Sequence, residues 1–199
     1  MKRFFNKRTL LYNFLFLVLF AGVLYATGYH IRVYSGLKNR LIRSGIITPK
    51  PLASISFERT EVNPESLLGL ELIDENGRQV SLGEFEQEVV LINLWASWCP
   101  PCVAEMPALN TLYESRKEEV DFVMVTWDKT MEAAQNFRDR KGYSFPVYKT
   151  TGTVPAPLHA SSIPTTFILD KKEGTLYRYA GMIDFEDPEM ASFLETLGR

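Results

Sequence analysis

The sequence predicts an α/β domain with a mixed central sheet, helices on both faces and an N-terminal β-hairpin extension. Three observations predict this fold class. Apolar strand-like runs alternate with helical segments through the middle of the chain, as in βαβ units. One hairpin precedes this alternation, and a second hairpin and a last helix follow it. A chain of 199 residues is long enough for one such domain with additional segments.

The predicted elements follow from apolar periodicity and from turn signals. The dipeptide Asn76-Gly77 marks a tight turn between the first two strands, and Pro188 near the start of the last helix is favourable because its missing N–H does little harm there. The elements are, in order, strands over Gly69–Ile73, Arg78–Leu82 and Val89–Trp95, a helix over Val103–Lys117, a strand over Val120–Thr126, a helix over Met131–Lys141, an extended piece over Pro146–Tyr148, strands over Thr165–Leu169 and Leu176–Tyr179, and a helix over Pro188–Leu197.

Both cysteines of the chain lie two residues apart in the segment Trp98-Cys99-Pro100-Pro101-Cys102. This segment stands where a buried strand passes into a helix, and unpaired N–H groups and the positive end of a helix dipole favour a thiolate there. Disulfide exchange needs an exposed thiol that ionises and a second thiol that resolves the mixed disulfide. We assign Cys99 as the nucleophile and Cys102 as the resolving thiol.

The sequence leaves two other interpretations of the cysteine pair open. An inert disulfide would close only a short loop and would therefore stabilise little. Two thiolates also suit Cu(I), so a copper carrier is an alternative, whereas His30 and His159 do not complete a zinc site with them. No cofactor or metal is expected for the favoured interpretation, which is redox chemistry.

The two prolines between the cysteines predict the direction of that chemistry. Neither Pro100 nor Pro101 has an N–H group to stabilise a thiolate on Cys99. A less stabilised thiolate favours the disulfide form, which makes the pair more reducing. The sequence therefore predicts a reductant, with a thiol oxidase or isomerase as the alternative.

Two segments resemble known proteins. Leu91–Cys102 resembles the active-site segment of the thioredoxin fold, and Ser162–Asp170, with its Ile-Pro-Thr-Thr, resembles the cis-proline loop of that fold. Glu105-Met106-Pro107 makes the chain similar to the membrane-anchored TlpA/ResA-type thiol-disulfide reductases. The resemblance covers Glu61–Arg199 and implies a thioredoxin-like fold.

The resemblance also implies roles for individual residues. Glu105 would be a buried carboxylate that assists proton transfer, and cytosolic thioredoxins carry an acid in the preceding strand where this chain has Asn93. Pro164 would be the cis-proline that faces the cysteine pair, and Ile163 would pair with the substrate backbone. The substrate-binding residues implied in this way are Trp98, Pro100, Ile163 and Pro164. The alternatives are a solvated Glu105 and a trans-proline in an ordinary loop.

The charge of the chain is divided between its two ends. Residues 1–59 contain ten Lys or Arg residues and one acidic residue, which gives a net charge of +9. Residues 60–199 contain twelve Lys or Arg residues and twenty-three acidic residues, which gives a net charge of −11. The acidic domain has no general basic surface, so nucleic acid is not an expected partner. The basic segment surrounds an apolar run and is predicted to face a membrane.

That apolar run, Leu10–Gly28, is long enough to span a bilayer. We predict a basic cytoplasmic tail (1–9), a transmembrane anchor (10–29), a juxtamembrane linker (30–60) and the thioredoxin-like domain (61–199). A cleaved signal peptide is the alternative for the apolar run, and residues 31–47 fit either a helix on lipid headgroups or a solvated spacer.

The resemblance implies a domain on the extracytoplasmic (periplasmic) side of the cell membrane. It further implies a protein substrate with a disulfide or cysteine pair and a membrane thiol carrier as electron donor. Reduction of apocytochrome c cysteines before haem attachment is the candidate physiological role.

Overall fold

The computed structural model of the chain describes Tyr12, Asn13, Phe16, Leu19 and residues 50–198. Among these residues, no helix combines the length and the apolar character needed to cross a bilayer. The predicted tail (1–9), nearly all of the predicted anchor (10–29) and the linker up to residue 49 lie outside the described residues.

A single eight-stranded mixed sheet organises the domain. Its strand order is β1-β8-β7-β4-β5-β6-β2-β3, in which β4, β5 and β6 are parallel and all other pairs are antiparallel. The strands are β1 (Glu58–Glu61), β2 (Glu71–Asp74), β3 (Gln79–Ser81), β4 (Val89–Trp95), β5 (Val120–Thr126), β6 (Val147–Thr150), β7 (Thr165–Asp170) and β8 (Thr175–Ala180). Strand β4 is buried along its whole length, as its apolar sequence predicts.

Four helices and three short 3-10 turns complete the described part of the domain. The helices are α1 (Glu65–Leu68), α2 (Pro100–Arg116), α3 (Met131–Lys141) and α4 (Pro188–Thr196), and the 3-10 turns are Leu52–Ser54, Leu82–Glu84 and Ala156–Leu158. Helix α2 begins three residues earlier than predicted, because a proline is well suited to the first helical position. Cys102 therefore lies inside the first turn of α2.

The three longer helices all pack on the same face of the sheet. Buried side chains of α2, α3 and α4 belong to one apolar cluster, whereas the cluster on the opposite face receives Leu67 from the four-residue α1. The prediction of helices on both faces therefore holds only in part, because three long helices cover one face and the short α1 lies on the other. The crossovers β4-α2-β5 and β5-α3-β6 advance in the same direction along the sheet. Because crossovers between parallel strands are almost always right-handed, both helices lie on one side.

Folded structure begins before the predicted domain boundary. Residues 58–60 were predicted as linker, yet they belong to β1, which pairs with β8 at one edge of the sheet. The 3-10 turn Leu52–Ser54 also lies in the compact unit Thr48–Arg199, and Asp187 accepts a hydrogen bond from Leu52 N–H. The side chains of β1 are all exposed, which explains why no apolar pattern indicated a strand.

Both predicted hairpins form. Strands β2 and β3 pair around Gly77, whose φ of 82° requires the left-handed region that glycine adopts without strain. Strands β7 and β8 pair around Gly174, with a φ of 61°. The first hairpin joins the sheet next to β6, at the opposite edge from β1.

Candidate active site

The cysteine pair lies at the junction between β4 and α2. Cys99 is the N-cap of α2, and a disulfide joins it to Cys102 with a Cα–Cα distance of 5.3 Å. Cys102 is fully buried, whereas Cys99 retains 4% of its surface. The two sulfurs therefore differ in the sense expected of an attacking and a resolving thiol, although Cys99 is less exposed in this disulfide state than the sequence predicts.

Within residues 50–198, one backbone donor reaches the Cys99 sulfur. The N–H of Cys102 donates to Cys99 Sγ over 3.4 Å. The two helical positions before it are Pro100 and Pro101, which have no N–H to offer. The Ile163 carbonyl oxygen lies 3.8 Å from the same sulfur and gives a thiolate no stabilisation.

The loop before β7 brings a proline and the Ile163 carbonyl group to this junction. The Ile163–Pro164 peptide bond is cis, as the resemblance implies. Pro164 is buried, and Ile163 is half-buried with its carbonyl beside Cys99. On the other side of the cysteine, the Trp98 side chain is 50% exposed and Pro100 is partly buried.

Glu105 lies one turn beyond Cys102 on α2 and is 1% exposed. Its Oε1 accepts a hydrogen bond from Asn93 Nδ2 at 3.0 Å, and its Oε2 accepts one from Ile183 N–H at 3.2 Å. Burial outweighs these two bonds and raises the pKa of Glu105 to about 8. A carboxyl group with that pKa can both release and accept a proton near neutral pH.

Asn93 has a role that the sequence did not reveal. It lies in the middle of β4 and donates to Glu105 and, over 3.1 Å, to Thr166 Oγ1 of β7, while its own Oδ1 has no hydrogen-bond partner among the described residues. From the sequence alone, Asn93 is notable only as the place of a missing acid. The alternation along β4 places position 93 on the α2 side of the sheet, and this signal could have identified the contact.

Asp128 is a second site residue that sequence reasoning missed. It follows β5, is 2% exposed, and accepts hydrogen bonds from Ser97 N–H (2.9 Å), Ser97 Oγ (2.8 Å) and Thr126 Oγ1 (2.8 Å). These bonds fasten the loop that leads into Cys99 to the end of the neighbouring strand. The signal was an acid two residues after a buried strand, at the edge where the parallel strands β4 and β5 both end.

The described residues do not gather a metal site. Within the part of the chain that the structure describes, no group of three or more His, Cys, Asp and Glu side chains is placed to hold a metal ion. His159 Nε2 lies 2.8 Å from the Val154 carbonyl oxygen.

Comparison with known proteins agrees with this geometry. The sequence profile of the Redoxin family matches residues 56–192. The thiol-disulfide oxidoreductase ResA of Bacillus cereus (strain ATCC 10987) is 32% identical over 153 residues, which cover 67% of this chain and 84% of that protein.

Solved structures share the fold. A thioredoxin-related protein from Neisseria meningitidis serogroup B superposes with a TM-score of 0.54 at 26% identity, over 63% of this chain and 99% of that one. A protein described as the thiol:disulfide interchange protein DsbE, from Chlorobium tepidum, superposes with a TM-score of 0.57 at 23% identity. The superposition covers 71% of this chain and 98% of that one. Together with the disulfide at the start of α2, these findings show that the chain belongs to the redoxin family and is a thiol-disulfide oxidoreductase of the ResA type.

Proposed function

We propose that the protein is a membrane-tethered, extracytoplasmic reductase of protein disulfides. The observation that carries the direction of transfer is the single N–H donor at the Cys99 sulfur. Because the two preceding helical positions are prolines, a thiolate on Cys99 receives one backbone hydrogen bond, from Cys102. A weakly stabilised thiolate makes the disulfide form favourable and the dithiol form a good electron donor.

The reaction proceeds in two exchange steps. The Cys99 thiolate attacks one sulfur of a substrate disulfide, which forms a mixed disulfide and releases the other substrate sulfur as a thiolate that takes a proton from water. The Cys102 thiol then loses its proton and attacks Cys99 Sγ. This step breaks the mixed disulfide, closes the Cys99–Cys102 bond and releases the second substrate sulfur. Two electrons have passed from the enzyme to the substrate.

Glu105 accepts the proton that Cys102 must lose. It is one helical turn beyond Cys102, and its pKa of about 8 makes the ionised form accessible near neutral pH. In the reverse direction, when a dithiol donor reduces the enzyme, the protonated Glu105 returns the proton to the leaving Cys102 sulfur. The hydrogen bonds from Asn93 and Ile183 hold the carboxyl group in place through both steps.

An extended segment of the substrate binds beside the cis-proline. Because Pro164 has no N–H, it leaves room for a substrate backbone, which pairs with the N–H and carbonyl groups of Ile163. Trp98, Pro100 and Pro164 border the same place. The substrate is therefore a polypeptide with a disulfide or a cysteine pair.

The membrane tether is supported by the sequence. The apolar run Leu10–Gly28 is long enough for a bilayer and follows the basic residues of the first nine positions. The resemblance to TlpA/ResA-type reductases supports a catalytic domain outside the cytoplasm, a membrane thiol carrier as donor, and apocytochrome c cysteines as candidate substrates.

Reduction of insulin with dithiothreitol as donor tests the enzymatic part of the proposal. The full-length protein should accelerate precipitation of the insulin B chain, and Cys99→Ser should abolish the acceleration. A chain that binds Cu(I) through its reduced thiols and shows no turnover would contradict the proposal.

Equilibration with glutathione buffers tests the direction. The proposal predicts a midpoint well below that of a dedicated oxidant, which is roughly −120 mV. A midpoint near that value would assign the protein to the oxidases instead.

Alkylation of whole cells tests the location. A membrane-impermeant maleimide should label the reduced cysteines of intact cells and should leave a cytoplasmic thiol protein unlabelled. Labelling that requires lysis would contradict the extracytoplasmic placement.

A further inference from the structure

An apolar cavity of about 150 Å³ lies in the sheet face opposite α2. Its deepest residues are Ile92, Phe167 and Leu158, which are 1%, 0% and 4% exposed. Its rim includes Trp127, which is 41% exposed, and the half-buried Ala160. The lining therefore runs from the core to the surface, so the cavity is open to solvent.

The fold explains why this face has a cavity. The three longer helices cover the other face, and here the sheet is covered by the short α1 and by the irregular segment 151–164. Irregular chain fills a sheet surface less completely than a helix with a continuous apolar stripe.

The chemistry of the lining selects an apolar ligand. Apart from Thr150, His159 and the indole N–H of Trp127, the lining side chains are aliphatic or aromatic, and His159 already has the Val154 carbonyl as a partner. An engineered apolar cavity of about 150 Å³ in another protein binds benzene. A phenyl ring or a branched aliphatic side chain therefore matches this space in size and polarity.

The cavity borders the two chain segments that flank the reacting sulfur. The N–H of Trp127 donates to the carbonyl oxygen of Trp95, the last residue of β4 before the active-site loop, over 2.7 Å. Ile163, whose carbonyl is 3.8 Å from Cys99 Sγ, packs against the cluster that lines the cavity. Ala160 at the rim is three residues from Ile163, which is at most about 10 Å of extended chain.

Exposure of large apolar residues points to the same place. In residues 50–198, the large apolar side chains that are exposed are Trp98 and Trp127. Trp98 precedes Cys99, and Trp127 borders the cavity. Exposed aromatic residues beside a reactive group are typical of a binding surface.

We infer that this cavity binds an aromatic or branched aliphatic side chain of the substrate polypeptide, within three residues of the substrate cysteine. The inference rests on the proposed function, because the substrate strand that pairs with Ile163 delivers the side chain. Trp127 and Ala160 are then specificity-determining residues that take no part in the exchange chemistry.

Disulfide-containing peptides test the inference. A series carries phenylalanine, alanine or aspartate at each position within three residues of one cysteine, and kcat/KM for reduction by the full-length protein is measured. At one position, phenylalanine should exceed alanine by roughly tenfold to a hundredfold, the range expected when a phenyl ring leaves water. Equal rates for all three residues at every position would overturn the inference.

Two variants locate the preference. Ala160→Phe fills the cavity from its rim and should reduce the phenylalanine-to-alanine ratio to about one, and Trp127→Ala should lower the ratio by removing one wall. Ala156→Phe is the matched control, because Ala156 is exposed in the same segment and does not line the cavity. If Ala160→Phe leaves the phenylalanine-to-alanine ratio unchanged, the preference arises at another surface, such as that of Trp98. This result would also overturn the inference.

Benzene binding separates failure of the cavity from failure of the proposed function, because it needs no turnover. Titration of the oxidised full-length protein should shift the NMR signals of the Trp127 indole N–H and the Leu158 methyl groups, and Ala160→Phe should abolish the shifts. No shift contradicts the cavity even if peptides are reduced. Shifts without reduction of any peptide would contradict the proposed function and leave the cavity as an apolar binding site.

Discussion

The buried carboxyl group of Glu105 makes the stability of the oxidised protein depend on pH in a way that one substitution removes. In the folded protein the pKa of Glu105 is about 8, whereas the ordinary value is 4.5. Between these values the folded protein binds a proton that the unfolded chain has lost. Stability therefore falls as pH rises from about 4.5 and becomes level above about 8.

The structure gives the size of this effect. Each pH unit between the two pKa values removes about 1.4 kcal/mol from the free energy of unfolding. Between pH 5 and pH 8 the loss is therefore about 3–4 kcal/mol. With the disulfide closed, neither cysteine titrates, so no thiol obscures the effect.

Urea unfolding of the oxidised protein and of Glu105→Gln, at half-unit steps of pH, measures the effect. The neutral amide cannot lose a proton, so the wild-type protein should lose about 3–4 kcal/mol relative to the variant between pH 5 and pH 8. Groups common to both proteins cancel in this difference.

Glu114→Gln is the matched control on the same helix. Glu114 is exposed, and hydrogen bonds from Lys117 and Ser144 hold its pKa below the ordinary value. It is therefore ionised throughout this range, and its substitution should give a difference that does not change with pH. A difference for Glu105→Gln that is equally flat would refute the reasoning, because it would mean that Glu105 is ionised in the folded state.

Three further predictions concern the active-site loop and its chemistry. Pro101→Ala adds an N–H near Cys99 Sγ. One hydrogen bond to a charged sulfur should shift the redox midpoint in glutathione buffer by about 30–60 mV in the positive direction. An unchanged midpoint would contradict the claim that the two prolines make the cysteine pair reducing. Asp128→Ala leaves the Ser97 donors unpaired and should lower the free energy of unfolding, measured by urea denaturation, by about 2–3 kcal/mol. A loss below about 1 kcal/mol would mean that Asp128 does not stabilise the active-site loop. Glu105→Gln should slow insulin reduction and flatten its pH profile, and an unchanged profile from pH 5 to pH 9 would remove Glu105 from the proton transfer.

The relative positions of the candidate site residues follow from the sequence because they are encoded locally. Spacing on one helix is enough to place Cys99, Cys102 and Glu105, and a motif is enough to place the cis-proline at Pro164. The contact between Asn93 and Glu105 depends on how β4 and α2 pack, and the bonds from Ser97 to Asp128 depend on the pairing of β4 with β5. The residue spacing within one helix or strand does not predict its contacts with another.

The parts of the fold that were missed also have physical reasons. Strand β1 presents four exposed polar or charged side chains, so it is stabilised through its backbone pairing with β8 and has no apolar alternation to reveal it. The cavity at Trp127 depends on which face the crossover helices leave uncovered. The same arrangement leaves the Trp127 side chain 41% exposed at the mouth of the cavity, and no periodicity in the sequence indicates that exposure.

Trapping the mixed disulfide tests the central claim most directly, because it observes the attacking sulfur itself. Cys102→Ser should accumulate a covalent adduct between Cys99 and a substrate polypeptide, which mass spectrometry of the native membrane fraction would identify and dithiothreitol would release. The matched variant that lacks both cysteines should give no adduct. An account in which Cys99 attacks and Cys102 resolves predicts this accumulation; absence of any adduct on Cys99, or an adduct that clears as quickly as in the wild-type protein, would contradict it.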